Sequence, residues 1–294
     1  MSHVVLLGAS GFLGVHIGQA LAVHPAVSRL TSLGRDRCDL VTTDVDDLRT
    51  TLGDLRPDVV VNGTGRLDGS ATELMAANTL ATAKLLDALS GTAIRYVRIG
   101  SAGEYGPIAH GRAATENDPA NPVGAYGLSH LAATRLVELA AAAGRVDGVT
   151  LRVFNPIGAG MREGSVLGQA AQRLRAALAT GARTITMGPL SAYRDLVDAR
   201  DVGTATAAAA FARELPDRVF NVGSGRAVPV RVAVGLLANV AGFPGDIREE
   251  GEGSTRSATV DWALADCARA AALLGWRPRH DLSDAVKAVW TGAE

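Results

Sequence analysis

The chain has 294 residues, and its 29 basic and 30 acidic side chains leave a formal charge of −1. With 47% hydrophobic and 20% charged residues it is too apolar for intrinsic disorder, and its near-zero charge gives no electrostatic footprint for nucleic acid or a polybasic membrane contact. The length suits one large α/β domain or two smaller ones.

Only Lys84 and Lys287 are lysines among the 29 basic residues, and the other 27 are arginines. Cys38 and Cys267 are too few and too widely separated to suggest a disulfide framework. No run approaches the roughly 20 apolar residues of a membrane span, and the N-terminus lacks the pattern of a secretory signal. A soluble cytoplasmic protein is the expectation.

In chain order, β-rich runs over residues 4–7, 29–33, 58–61, 94–100, 149–154, 184–187 and 218–222 alternate with helical patterns. Helices are predicted over 13–23, 70–89 and 125–143, and the Ala-rich tract at 205–210 falls in a further amphipathic helix. Such alternation predicts an α/β fold, a doubly wound parallel sheet covered on both faces. Residues 1–155 would form the dinucleotide-binding Rossmann core, completed by segments within 184–222. Residues 156–294 would be mainly a small, discontinuous substrate-binding cap with returning strands and helices.

The first strand runs into Gly8-Ala9-Ser10-Gly11-Phe12-Leu13-Gly14, which opens a helix. Glycines there allow a tight turn, let backbone approach a pyrophosphate and permit close helix–strand packing. The helix N-terminus offers free N–H groups to phosphate. Gly8, Ser10, Gly11, Phe12, Leu13 and Gly14 are therefore expected cofactor contacts, although the G-x-x-G-x-x-G spacing differs from the common dinucleotide fingerprint. The second strand ends in Leu33-Gly34-Arg35-Asp36-Arg37. Arginine where an acidic residue would select NAD favours NADP, through Arg35 on a 2′-phosphate, while Asp36 keeps NAD as the alternative. Asp44 is a candidate for the adenine amino group. Gly63 and Thr64, just past the third strand, join the expected cofactor contacts.

With that loop in place, the chain resembles the extended short-chain dehydrogenase/reductase family, the nucleotide-sugar epimerases, dehydratases and reductases. The resemblance runs nearly end to end. Ile99-Gly100-Ser101-Ala102-Gly103-Glu104-Tyr105-Gly106 is similar to the family's strand-end segment, which maps the catalytic hydroxyl to Ser101. Pro122-Val123-Gly124-Ala125-Tyr126-Gly127-Leu128-Ser129 matches the stretch with the catalytic tyrosine, placing Tyr126 25 residues after Ser101. Asn78 falls where the family has an asparagine in the fourth helix. Arg152-Val153-Phe154-Asn155, Tyr193-Arg194-Asp195, Val219-Phe220-Asn221-Val222-Gly223 and Leu274-Gly275-Trp276 continue the likeness. The pattern looks most like the nucleotide-sugar reductases that act on 4-keto-6-deoxyhexoses, GDP-4-keto-6-deoxymannose among them. The resemblance implies that Asn155, Arg194 and Arg256 face the diphosphate of a nucleotide sugar and that Asn78 belongs to the cofactor site. It also implies a homodimer through two helices, one of them carrying Tyr126.

The implied chemistry is proton transfer at a carbonyl that exchanges hydride with nicotinamide. Tyr126 donates the proton and Ser101 orients the carbonyl. The family places lysine four residues after this tyrosine, where it also holds the nicotinamide ribose; here the residue is His130. An i, i+4 histidine shares a helix face with Tyr126, yet its ordinary pKa near 6.5 leaves it mostly neutral at pH 7. Three readings stay open. His130 substitutes for lysine, through a water or as imidazolium; or the fold serves another substrate or a non-redox reaction; or the site binds cofactor without turnover. The remaining histidines, His3, His16, His24, His110 and His280, show no metal-ligand spacing.

Overall fold

A computed structural model describes residues 1–251 and 260–292. The first half is a βα series: β1 (Ser2–Leu7), α1 (Phe12–Ala22), β2 (Val27–Leu33), α2 (Val45–Leu55), β3 (Val59–Asn62), α3 (Ala71–Leu74), α4 (Ala81–Leu89), β4 (Arg95–Ser101), α5 (Ala125–Ala142) and β5 (Asp147–Val153). The second half continues with β6 (Pro156–Ile157), α6 (Val166–Thr180), β7 (Thr184–Met187), β8 (Tyr193–Asp195), β9 (Val197–Asp198) and α7 (Ala199–Phe211). It closes with β10 (Val219–Val222), β11 (Ala227–Pro229), α8 (Val230–Val240), β12 (Asp246–Glu249), α9 (Ala268–Leu273) and α10 (Leu282–Thr291).

Six strands form one parallel sheet in the order β10-β5-β4-β3-β1-β2. The central strands are largely apolar, as strands buried on both faces are, with Asn62, Arg98 and Arg152 among the buried polar exceptions, and all four residues of β3 are buried. On one face Val4, Leu6, Val61, Val97 and Leu151 pack with Ile17 and Leu21 of α1 and Val202 and Ala205 of α7. On the other, Val5, Leu7, Val60 and Tyr96 meet Leu48 of α2, Leu85 of α4 and Val137 of α5. The doubly wound parallel fold is thus present. The strand order reverses at β1, between β2 and β3, and such a switch point opens a crevice at the carboxyl ends of the strands.

Two elements differ from expectation. Residues 184–187 do not join the main sheet; β7 pairs in parallel with β12 in a two-stranded sheet beside α6 and α8. Its alternating burial, one side in and one side out, shows why: a strand covered on one face belongs at a periphery. Residues 219–222, by contrast, complete the main sheet against β5. The helix expected over 70–89 runs on without a break but departs from α geometry at a π-helical turn, Met75–Leu80, within which Asn78 is buried. Around α6, β7, α8 and α10, a third core built on Leu174, Ile185, Leu237 and Val286 makes a cap of its own. Among the described residues no helix is long and apolar enough to cross a membrane.

Candidate active site

The glycine loop is shaped by backbone contacts that leave no room for side chains. Gly8 has φ +81°, and a Cβ there would lie 3.0 Å from Gly63 and from Thr64. The loops after β1 and β3 therefore touch, which puts Gly63 and Thr64 beside the glycine loop. A Cβ on Gly14 would stand 1.9 Å from the Gly8 carbonyl oxygen, so α1 is seated directly on the turn. The N-cap of α1 is Gly11, with no side-chain cap and no acidic residue in the first turn. An uncapped N-terminus at a sheet's carboxyl edge suits a dinucleotide diphosphate. These features fit the cofactor that the glycine loop implies.

Past β2, Arg35, Asp36 and Arg37 form an exposed turn whose Arg37 and Cys38 N–H groups donate to the Gly34 carbonyl at 3.1 and 2.9 Å. Asp36 folds back over Gly34, its Oδ1 2.5 Å from where a Cβ would sit. Asp44, expected at adenine, caps α2 by accepting the Asp47 N–H at 2.8 Å. Lys84 donates to the carbonyls of Leu40, Val41 and Thr43 at 3.3, 2.9 and 2.8 Å, closing the loop between these groups. That contact accounts for one of the two lysines: it fixes backbone far from the tyrosine.

Ser101 and Tyr126 meet around Gly103. A Cβ on that glycine would lie 3.2 Å from Tyr126 Cε1 and 3.3 Å from Ser101 Oγ. Ser101 ends β4 and caps a short 3-10 turn, its Oγ accepting the Gly103 N–H at 3.1 Å. Tyr126 stands in the first turn of α5, and Gly127 brings that helix against the Gly103 carbonyl, 2.3 Å from where its Cβ would sit. Two residues 25 apart in sequence thus converge because glycines at 103 and 127 let a turn and a helix touch.

His130 is buried one turn below Tyr126, with ring centroids 4.7 Å apart. Its Nδ1 accepts a hydrogen bond from Arg98 Nη2 at 3.0 Å. A guanidinium has donors only, so Nδ1 bears no proton and His130 is a neutral imidazole protonated on Nε2. Burial, with the Arg98 charge adding to it, pushes its pKa well below the ordinary histidine value. The imidazolium reading is therefore overturned. Behind the site, Glu104 is fully buried; it accepts from Arg152 Nε at 2.8 Å and from the Ser101 N–H at 3.1 Å, and lies 4.0 Å from Arg98. Arg98, Glu104 and Arg152 escaped the sequence reading. For the two arginines the signal was present: Arg98 and Arg152 lie inside runs read as buried strands, where a charge needs a partner.

The other expected residues brace the site. Asn78 is buried, and its amide is engaged by the chain: Oδ1 accepts the Arg66 N–H at 2.8 Å, and Nδ2 donates to the Arg66 carbonyl and Ser129 Oγ, both at 3.0 Å. It thus ties the loop after β3 to α5. Asn155 donates to the Asp195 carbonyl at 3.1 Å and joins the end of β5 to β8. Arg194, expected to face a diphosphate, is buried and donates to the carbonyls of Tyr193 and Val260 at 2.8 and 2.6 Å. Arg256 lies outside the described residues. Tyr193, Trp262 and His110 form an aromatic cluster beside Arg194, with His110 4.3 Å from Trp262 between ring centroids.

A glycine turn at the switch point of a parallel sheet, with a serine–tyrosine pair at the same edge, defines a dinucleotide-dependent enzyme of the extended short-chain dehydrogenase/reductase type. The sequence profile of the NAD dependent epimerase/dehydratase family matches residues 4–223, and the chain belongs to that family. A dTDP-6-deoxy-L-talose 4-dehydrogenase (NAD(P)(+)) from Kitasatospora kifunensis is 37% identical over 99% of this chain and 95% of its own length. A GDP-6-deoxy-D-mannose reductase from Pseudomonas aeruginosa is 28% identical over 96% of this chain and 94% of its own. Among solved structures, RMD from Pseudomonas aeruginosa complexed with NADPH superposes with a TM-score of 0.84 at 26% identity, covering 99% of this chain and 98% of that one.

Proposed function

We propose that this enzyme interconverts the 4-keto and 4-hydroxy forms of a nucleotide-linked 6-deoxyhexose, using NADP in preference to NAD. The observation that carries the reading is the convergence of Ser101 and Tyr126 on Gly103, beside the dinucleotide turn. The 37%-identical dTDP-6-deoxy-L-talose 4-dehydrogenase supports chemistry at carbon 4, and together with the GDP-6-deoxy-D-mannose reductase it supports a nucleotide-linked 6-deoxyhexose as substrate. Exposed Arg35 and Arg37 at the end of β2 support NADP.

The Gly8–Gly14 turn and the N-terminus of α1 would hold a dinucleotide, whose nicotinamide would supply or accept the hydride. The chain handles the proton. Ser101 Oγ donates to the carbonyl oxygen and fixes its direction, and the Tyr126 hydroxyl gives that oxygen a proton in reduction or removes it in oxidation. His130, protonated on Nε2, offers a neutral donor to the nicotinamide ribose in the position where the family resemblance implies lysine. Exposed Leu80, Leu128 and Leu139, on the π turn and α5, support a homodimer through this helical face.

The test is turnover of NADPH or NADH with dTDP- and GDP-linked 4-keto-6-deoxyhexoses, with product sugars identified by NMR. Oxidation of NADPH with formation of the 4-hydroxy sugar is expected. Arg35→Ala should raise KM for NADPH about tenfold, as loss of one charged hydrogen bond does, and leave NADH unchanged. Cofactor binding without turnover on any nucleotide sugar would sink the proposal.

A further inference from the structure

We infer that Arg98 is the positioning cation of this site: through neutral His130, its buried guanidinium supplies the fixed positive charge that favours the Tyr126 phenolate. The inference rests on Tyr126 as the proton-transfer group and concerns how the chain charges that site without a lysine.

The first support is the set of Arg98 partners. The side chain is 3% exposed and donates from Nε to Thr82 Oγ1 at 3.2 Å, from Nη1 to Thr134 Oγ1 at 3.2 Å, and from Nη2 to His130 Nδ1 at 3.0 Å. All three acceptors are neutral. The nearest carboxylate, Glu104, is 4.0 Å away, and Arg152 and the Ser101 N–H already hold it. Two guanidiniums therefore share one carboxylate, leaving one positive charge uncompensated. No relayed proton is needed, because the effect is electrostatic.

The second support is what surrounds that charge. Tyr96 on β4 and Tyr105 after the 3-10 turn are both pushed up by burial and stay neutral, Tyr105 to about 12. Arg152 on β5 lies over the Tyr105 ring at 4.6 Å; among the described residues Glu104 is the carboxylate that acts on Arg98, while Glu116 acts on Tyr105 and is held by the Asn221 N–H and Arg269. On α5 the titratable groups that face Arg98 are His130 and Tyr126, and Tyr126 is within Coulombic reach of Arg98. Gly100 makes the arrangement possible: a Cβ there would lie 2.8 Å from Glu104 Oε1 and 3.2 Å from Arg98 Nη1. Burying an unbalanced guanidinium disfavours folding relative to an apolar side chain, so stability alone does not explain its position.

The full-length protein tests this without any substrate. Tyrosinate absorbance is followed against pH, and the Tyr126→Phe trace is subtracted so that Tyr126 alone is read. The expected midpoint is below the ordinary tyrosine value near 10. In Arg98→Met it should climb by about one pH unit, a tenfold change in the phenolate equilibrium. The double variant Arg98→Met/His130→Lys should bring it back. An Arg98→Met midpoint equal to the wild-type one overturns the inference. If Arg98→Met does not fold, His130→Gln keeps an acceptor for Arg98 and decides the matter: an unmoved midpoint supports Arg98 as the charge, and a climb of about one unit assigns the effect to His130 and overturns it. Because the titration needs no sugar, failure of turnover on nucleotide sugars counts against the proposed substrate and leaves this result standing. Turnover with a tyrosinate midpoint blind to Arg98 counts against this inference alone.

Discussion

The Gly8–Gly14 turn and the pocket behind Ser101 and Tyr126 share the carboxyl edge of the sheet, yet they are made of opposite materials. The turn uses bare backbone: a positive φ at Gly8, an uncapped N-terminus on α1, and contacts too close for any Cβ. The pocket uses buried charge, with Arg98, Glu104 and Arg152 packed where apolar side chains would be cheaper to desolvate. A diphosphate is a formed anion that N–H dipoles can meet directly. A phenolate exists for only part of the cycle, and a fixed cation close behind it is what makes it accessible. The difference is between binding a charge and creating one.

Substitutions at the two places should fail differently. Tyr126→Phe removes the proton donor and should lower kcat by 10²–10⁴, the usual range for a lost general acid, with cofactor affinity unchanged in a fluorescence titration. A loss under tenfold would mean that another group moves the proton. Gly14→Ala should do the reverse. Its Cβ meets the Gly8 carbonyl carbon and oxygen and the Ala9 Cα, all backbone, at 2.9 Å or less. Destabilisation of about 3 kcal/mol and loss of cofactor binding are expected, read by thermal melts with and without NADPH. Unchanged binding would show that the turn can open at no cost.

What was legible divides along the same line. Backbone-built features announce themselves locally, since Gly8, Gly11 and Gly14 follow a strand and open a helix within seven residues. Ser101 and Tyr126, which converge on Gly103, could be paired in sequence because their flanks resemble a family pattern, not because anything in the composition brings them together. The charged pocket was missed because its members come from β4, the 3-10 turn, β5 and α5, and their pairing exists only after the sheet forms. The same holds for Arg194. The resemblance implies a place for it at a diphosphate, and no motif says that its guanidinium is buried and donates to the carbonyls of Tyr193 and Val260. Strand 184–187 was placed in the wrong sheet because four residues of alternating polarity mark a strand and do not say which edge it joins.

The buried histidine offers a gentler probe of the pocket. The pKa of His130 is depressed in the folded state, so below about pH 6.5 the unfolded chain binds a proton that the native state refuses. Stability should therefore be unaffected by His130 above that pH. Below it, stability should fall by about 1.4 kcal/mol per pH unit until the native pKa is reached. His130→Gln should flatten that slope in urea titrations at pH 7, 6 and 5. An equal slope in both proteins would mean that His130 is protonated in the native state and that Arg98 does not hold its Nδ1.

The smallest expected effect belongs to the backbone-built side. Lys84 reaches across from α4 to three carbonyls at residues 40–43, just before Asp44 caps α2. Its ammonium donates to these carbonyl dipoles, so it acts as a clamp on a loop. Lys84→Met keeps the aliphatic stem and removes the three donors, which should cost about 1–2 kcal/mol of stability. Because the clamped loop follows the turn at Arg35, KM for NADPH should rise a few-fold while kcat holds. A fall in kcat at saturating NADPH would instead connect this lysine to the tyrosine pocket, and the separation between the two halves of the site would no longer stand.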